Sequence, residues 1–581
     1  MNGMEKAYLY WNTVKHLKPV QIKHQIENRV YRDRRKKNMD YVNELPVPKK
    51  RTAIRILIPE LDCEACYLER FSVDRMMLGM VELLHEAHRV GKEWNVPEAS
   101  RLWNYNLHYL EFLIPLAVQY TSTGKDAYFF KWKELIEGWL GQCFGGSLEP
   151  YPISMRIPNL LICMELLREK INGTELEEKL FGSVYRQYRY LLLAQEKALL
   201  ANHYFENLKA IVISSLLFGE LDIYHKYFVL FLKEIEEQIL NDGLHFERSL
   251  MYHKVILEDI LRVYLVLNSV QRMGDAQKLI PTICMMASAM VCLEQGFERI
   301  PLFNDAGNNV SKDKNALLRA IERNCRDSRD ICNSVWEKEK GKRAMAVCSF
   351  KASGYYKLYY DETALFFDCG EIGPPYMGGH AHNDCLSFEL CVKGSPLFVN
   401  SGTGQYQGGL RPFFRSAAAH NTVMIDSREQ SELWGEHRAA RRIRKVQGAV
   451  RGGALIGQFQ SFLGDSFRRS IKWKKENGNV LVIRDDIKAC DTERHMARQF
   501  FHLAPGYYYI RDGKQVKIVE GRSLKAVVKL PEECDYMIHR DGLLSNYAED
   551  FGEYRKKEVL EIRTPFEGEV CLKTEIDIFR R

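Results

Sequence analysis

The feature that most constrains this chain is a change of hydrophobic period near residue 343. Up to about Lys340, stretches such as SVDRMMLGMVELLHEAHRVGKEW, YLEFLIPLAVQY, YFFKWKELIEGWLGQCF and VILEDILRVYLVLNSVQRM repeat apolar residues at i, i+3, i+4 and i+7, the period of one helix face. Short Gly, Pro and Asn breaks separate them with no strand signal between, which predicts stacked helical hairpins in a solenoid or toroid. From about Arg343 the runs are short, β-branched or aromatic and often alternating: ALFFDCG, LSFELCVKG, PLFVNSG, NTVMID, GNVLVIRDDI, RQFFHLA, LKAVVKL and GEVCLKTEIDIF. Strands in succession without intervening helices predict an antiparallel sandwich. The expected organisation is multidomain, α then β: a basic helical extension over 1–50, a helical domain over 51–342 and a β-sandwich over 343–581.

Composition narrows the function classes. With 581 residues, 46% of them hydrophobic, the chain is too long for one compact domain. A net charge of +7 is too diffuse for a nucleic-acid binder, yet it suits an acidic ligand if the cations line one cleft. The 15 cysteines follow no disulfide framework and several sit in apolar runs, which fits a reducing compartment. Cys63 and Cys66 form a lone C-x-x-C without a second pair at zinc-ribbon spacing, and read as coincidence or core packing in preference to metal or redox work. The first residues lack the apolar core of a secretory signal and no run reaches the roughly 18 apolar residues of a membrane span, so the expectation is a cytoplasmic protein. The basic cluster RDRRKK reads as a solvated helix end.

Polar groups interrupt both halves where a core would be apolar. In the helical half these are Asn104 and His108 in RLWNYNLHYL, Asn202, His203, Glu206 and Asn207 in LLANHYFENLKA, and His245, Glu247, Tyr252 and His253 in DGLHFERSLMYHKV. His203 and Glu206, three apart on a helix, share a face. In the β half, GGHAHNDCLSFEL sets His380 and His382 two apart at the mouth of a strand, where both rings would point the same way. Asn400 and Tyr406 follow in VNSGTGQY, and Arg411, Arg415, His420 and Asn421 in RPFFRSAAAHNTVMID. Each cluster alone reads as a hydrogen-bonded polar core; several, spread over two domains, point to an interdomain site.

The chain shows no nucleophile motif, nucleotide loop or carboxylate pair, but it is rich in amide, imidazole, phenol and guanidinium groups. That set suits abstraction of a proton α to a carboxylate. In a uronic acid, donors such as Asn or His stabilise the enolate-like state, a His or Tyr takes the C5 proton, and a Tyr protonates the departing oxygen at C4.

These segments resemble the heparinase II/III-like polysaccharide lyases, from WNYNLHYLEFL and EPYPISMRIPNLL through NHYFEN, DGLHFERSLMYH and IPLFNDAGN to GGHAHNDCLSFEL and RSAAAHNTVMID. The resemblance implies an (α/α) toroid followed by an antiparallel β-sandwich. It implies that Asn202 and His203 neutralise the substrate carboxylate, with Glu206 as an accompanying acid. Tyr252 would be the catalytic tyrosine and His380 the sandwich histidine that closes the site. It also implies one structural divalent metal (zinc, manganese or calcium) on His382, His420 and a third ligand, whose nearest counterpart is Asn400; an amide is a weaker ligand than a carboxylate, and a hydrogen-bonded cluster of the three is the alternative. Asp384 is a candidate partner for one of these histidines. No organic cofactor is expected.

The resulting expectation is a lyase that cleaves uronate-containing acidic glycans of glycosaminoglycan type by β-elimination, working as a monomer or dimer with an acidic polysaccharide or oligosaccharide as partner. Asn104, His108, Arg156, Arg411, Arg415 and Tyr406 are the expected substrate contacts, the arginines because a guanidinium grips planar anions bidentately. A uronosyl C5-epimerase and a non-catalytic glycan-binding protein on the same scaffold are the alternatives.

Overall fold

The structure, a computed structural model, describes residues 3–30, 34–142, 149–325, 346–360, 362–474 and 480–579. The expected domain boundary at 342/343 lies outside the described residues.

Three helices, Gly3–Val14, Pro19–Val30 and Arg34–Glu44, precede a helical domain built from Arg101–Tyr109, Ile114–Thr123, Asp126–Leu140, Pro150–Leu166, Glu175–Leu193, Ala201–Leu217, Leu221–Gln238, Leu250–Ser269, Ile280–Glu294 and Lys314–Asn324. Side-chain caps fix several starts: Ser100 Oγ accepts from Trp103 N at 3.0 Å and Thr174 Oγ1 from Glu177 N at 3.3 Å. Helix Ala201–Leu217 is central, and every residue in it is buried except His203. A helix apolar on all sides belongs in a core, so the one position that opens is informative. The stretch Met273–Glu294 is long and apolar enough to cross a membrane, but 56% of its apolar 18-residue window is buried, and Ile280–Glu294 packs on Leu250–Ser269 as a core helix.

One expected helix is not formed. The segment 72–94 holds only the short helix Val73–Met77, followed by a hairpin in which Met80–Leu83 pairs with Glu86–Arg89. Leu84 and His85, at φ 51° and 62°, form its two-residue loop, the left-handed pair that matches strand twist. Val81 and Leu83 are buried in alternation, a spacing that apolar neighbours hid inside a helical pattern.

The β half is a sandwich. One layer is an eight-stranded antiparallel sheet in the order 444–451, 454–460, 466–473, 480–488, 569–578, 523–529, 515–520, 507–512. Facing it are a five-stranded meander, from Ala346–Phe350 to Ser395–Phe398, and a four-stranded sheet containing Arg494–His502, linked by a bridge from Phe398 to Leu503. Their inward side chains, among them Phe367, Phe388, Ile471, Leu481, Phe501 and Ile562, make one core. A third core joins the two domains, with Leu250, Tyr252, Phe303, Tyr355, Phe366 and Val399 drawn from both. Arg248 fastens that junction, donating to the carbonyls of Ser353 at 2.8 Å and Gly373 at 3.0 Å.

Candidate active site

Between the domains lies a cavity of about 1000 Å³, at the top of the ~300–1,000 Å³ range of ligand sites. Asn202, His203 and Tyr252 line it from the helical domain, and His380, Tyr406 and His437 from the sandwich.

Asn202 and His203 sit in the first turn of their helix, which the chain enters through two positive-φ residues, Leu200 (63°) and Ala201 (51°). Such conformations cost energy and persist where surrounding contacts impose them. Asn207 supplies one: its Oδ1 accepts from Glu196 N at 2.7 Å, fixing the loop ahead of the helix. Glu196 then places Oε1 3.2 Å from His203 Nδ1. Burial lowers the His203 pKa, but the Glu196 carboxylate, helped by smaller contributions from Glu247 and Glu206, outweighs it and the net shift is upward, toward the imidazolium. Asn202 donates from Nδ2 to Glu247 Oε2 at 3.2 Å, which leaves its second amide N–H for a ligand. Burial pushes the Glu247 carboxyl up.

Tyr252 lies in the first turn of helix Leu250–Ser269. Ser249 caps that helix and donates from Oγ to the Asp305 carbonyl at 2.7 Å. The Tyr252 and Tyr406 hydroxyls are 2.6 Å apart, and burial holds both phenols well above their usual range; Tyr406 adds to the rise at Tyr252, while at Tyr406 the Asp305 charge adds to it and the hydrogen bond with Tyr252 offsets part of it. The His380 ring is 4.4 Å from the Tyr252 ring, centroid to centroid.

The paired histidines do not share a strand face. Residues 380–384 form a loop, and the strand begins only at Phe388. What they share is Asp305: His380 Nδ1 lies 2.9 Å from Oδ2, His382 Nε2 lies 2.9 Å from Oδ1, and the Arg411 guanidinium grips both oxygens, Nη2 at 2.8 Å. Burial alone would raise the Asp305 pKa; Arg411 and the two imidazoles reverse that and hold it well below the usual carboxylate range. Asn304, at φ 55°, orients this aspartate: it donates from N to Asp384 Oδ2 at 2.8 Å and from Nδ2 to the Arg248 carbonyl at 3.1 Å. With its Nδ1 proton on Asp305, His380 keeps Nε2 for proton transfer.

His382 and His420 make a second arrangement behind the cavity. His420 Nδ1 is 2.8 Å from the Ser416 carbonyl, and His382 Nε2 faces Asp305. Both partners only accept, so each ring carries its proton there, and the remaining nitrogens, 3.2 Å apart, turn lone pairs toward each other. Burial lowers the pKa of both rings, strongly for His420, so neither takes up a second proton readily. Asp384 brings a carboxylate oxygen to the same point; donor atoms of His382, Asp384 and His420 all lie within 4.8 Å of one another. Facing lone pairs with a carboxylate fit a cation. Asn400 is not the third member: its Oδ1 accepts from Ser387 Oγ at 2.7 Å and Asn421 N at 3.2 Å, and its Nδ2 donates to the Leu302 carbonyl at 3.1 Å.

Other expected contacts lie off the cavity. On helix Arg101–Tyr109 the cavity stripe is Arg101, Leu102, Tyr105, Asn106 and Tyr109, so Asn104 and His108, four apart, are on the other side. Asn104 braces the backbone of Val96, accepting from its N and donating to its O, both at 2.8 Å. His108 is buried, its pKa pushed down to about 3 chiefly by that burial. Arg156 is buried against Gln187 and Trp139, while Met155, Pro158 and Asn159 of the same helix face the cavity. Arg411 and Arg415 hold loops: Arg415 donates to the carbonyls of Ala381 at 2.9 Å and Glu436 at 3.2 Å. Glu206 shares the helix with His203 but lies buried beneath the cavity floor, paired with Lys209, which also meets Asp259 at 2.5 Å. The basic cluster is not simply solvated, because Arg34 and Arg35 line the cavity. Sequence reasoning missed Asp305, Glu196 and His437. Asp305 carried one signal, its place in the polar, Gly-containing NDAGN within the helical half.

The fold and the site define a class: a helical domain joined to a β-sandwich, with a Tyr, His and Asn cavity between them. Comparison with known proteins narrows it. The Heparinase II/III N-terminus profile matches residues 88–328 and the Heparinase II/III-like, C-terminal profile residues 343–568. The chain belongs to the heparinase II/III-like family. A heparin-sulfate lyase of Bacteroides thetaiotaomicron is 21% identical over 429 residues, 67% of this chain and 60% of that protein. One from Pedobacter heparinus is 23% identical over 206 residues, 33% and 30% respectively. The chain thus spans less than two thirds of either relative. A crystal structure of heparinase III shares the fold at TM-score 0.68 and 17% identity, covering 96% of this chain and 91% of that one, so the helical domain is a toroid.

Proposed function

We propose that this protein is a polysaccharide lyase that breaks uronate-containing acidic glycans by β-elimination. The observation that carries the reading is the convergence of the Tyr252 hydroxyl, the Asp305-backed His380 and the Glu196-backed His203 on one cavity in a chain of this family. The heparin-sulfate lyase relatives support the substrate class.

In this reading the His203 imidazolium and the free Asn202 N–H receive the uronate carboxylate, drawing charge from C5. His380 Nε2 takes the C5 proton and Asp305 steadies the imidazolium that forms. The C4–O4 bond breaks as C4=C5 forms, and the Tyr252 proton goes to O4. The raised phenol suits an acid that stays protonated until the leaving oxygen needs it. His380 then returns its proton to Tyr252, closing the cycle. Base and acid stand side by side, which fits a syn elimination, the geometry of a glucuronate, whose C5 hydrogen and O4 lie on one face of the ring. His382, Asp384 and His420 would hold one divalent ion, whose role is to fix the loop that carries His380 through a local positive charge.

The test is incubation with hyaluronan, chondroitin, unsulfated heparan and an iduronate-rich chain, followed by ultraviolet absorbance of the conjugated product. Glucuronate chains should give the signal and the iduronate-rich chain much less. Absence of absorbance on every polymer, with C5 exchange in deuterated solvent, would replace the lyase with an epimerase; neither signal would leave a binding protein.

A further inference from the structure

The helices Gly3–Val14, Pro19–Val30 and Arg34–Glu44 lie ahead of the span matched to the family, yet the second and third reach the cavity. The first docks on the sandwich. Tyr10 meets Trp434 edge-on at 5.0 Å, Trp434 Nε1 donates to Thr13 Oγ1 at 2.9 Å, and Arg438 and Arg441 stack on Tyr10 and Tyr8 at 5.6 and 5.3 Å. The neighbouring Glu436 and His437 are on the cavity wall. The second docks on the toroid: the buried Gln21 donates from Nε2 to the Leu199 carbonyl at 3.1 Å, Gln25 to that of Ala198 at 3.4 Å, and Lys18 pairs with Glu237. That loop leads directly into Asn202 and His203. The third packs on helix Glu175–Leu193 with Val42 buried. Together they join the two rims of the cavity.

His24, Glu27, Asn28, Arg34, Arg35 and Asn38 are the residues they contribute to its lining. Glu27 is engaged by His24 at 3.1 Å and Arg34 at 3.8 Å. Arg35 is exposed and meets no carboxylate among the described residues. Lys197, on the loop that Gln25 holds, also lines the cavity, with Lys23 and Lys226 near it as well as Glu27. Arg34, Arg35 and Lys197 on this wall thus stand against two carboxylates, Glu27 and Glu196, the second already paired with His203, which leaves positive charge beside a site read as taking a polyanion.

We propose that the three helices are a specificity cap. Arg34, Arg35 and Lys197 form a subsite for an anionic group of the glycan beyond the reacting uronate, and by joining both rims the cap confines the enzyme to chain ends and short oligosaccharides. The inference rests on the uronate-lyase reading. Its test uses the full chain, the glucuronate polymers above and their tetrasaccharides. The wild type should release one small product from the first time points while solution viscosity falls slowly. Trp434→Ala, or Thr13→Ala with Gln21→Ala should the first fold poorly, should broaden that product to a ladder. R34E/R35E should raise KM for the tetrasaccharide about tenfold at low salt with kcat within about twofold, the gap closing as salt is added. A full ladder from the wild type at the earliest time overturns the cap, and an unchanged KM overturns the subsite. If no unsaturated product forms, the lyase reading fails separately. Calorimetric titration of the tetrasaccharide then still decides the subsite: about tenfold weaker binding in R34E/R35E supports it and equal binding ends it.

Discussion

The two histidines that face the cavity from opposite domains are held in different ways. His203 projects from an otherwise buried helix, and its partner Glu196 is seven residues away in the same local segment. His380 rides on a loop, and its partner Asp305 is 75 residues away across the domain junction, shared with His382 and Arg411. One histidine is set by local structure and can be altered almost alone. The other is set by a buried charge network, so disturbing it reaches both domains.

The largest effect should come from Tyr252, which stands between the two. Tyr252→Phe keeps the ring packing and removes the proton for O4, so kcat should fall roughly 10²–10⁴-fold with little change in binding. Tyr406→Phe, which removes only the hydroxyl paired with it, should lose much less. Equal losses would mean that the pair acts as one acid.

The contrast sharpens with the two carboxylates. Asp305→Ala leaves Arg411 buried without its counter-charge and should cost about 3–5 kcal/mol in denaturant unfolding. Asp305 has a depressed folded pKa, so its stabilising contribution is complete above the unfolded value of about 3.9 and is lost as pH falls through the folded one. The variant's unfolding should therefore depend less on acid than the wild type's. A variant as stable as the parent would erase the distinction between the histidines.

His382→Ala should destabilise by about 1–3 kcal/mol, since it removes one member of a buried polar set. Chelation of the parent should lower its melting temperature more than its turnover. A smaller effect belongs to Glu196→Gln. If an imidazolium at 203 receives the carboxylate, KM should rise as pH climbs through its raised pKa, and the variant's rise should move to lower pH with stability little changed. Smallest is Asn104→Ala, expected to cost about 1 kcal/mol of stability and leave KM unchanged; a shifted KM would return that residue to the site.

The same contrast explains what could be read from the sequence. Helices and strands followed from period, and the polar residues in NHYFEN stood out because their helix is otherwise apolar. The hairpin at 80–89 was hidden because its turn uses Leu84 and His85 in place of the usual Asn or Gly. Asn104, Arg156, Arg411 and Arg415 had the right chemistry for an anion, but side-chain direction depends on helix packing and on distant carbonyls that no local window contains. Asn400 was named only as the counterpart of the third ligand that the family resemblance implies, whereas the structure brings Asp384 to the two histidines, because 380–384 is a loop and not a strand.

Asp305 also bears on modularity. The acid lies in the part of the chain matched by the N-terminal profile, while His380, His382 and Arg411 lie in the part matched by the C-terminal one. Severing the chain between them would strand a carboxylate on one fragment and a guanidinium on the other, each in a hollow built for its opposite. The halves are therefore not interchangeable parts: a chimera exchanging one of them with a relative must carry across an acid and a loop that fit each other, or it inherits two orphaned charges at its seam.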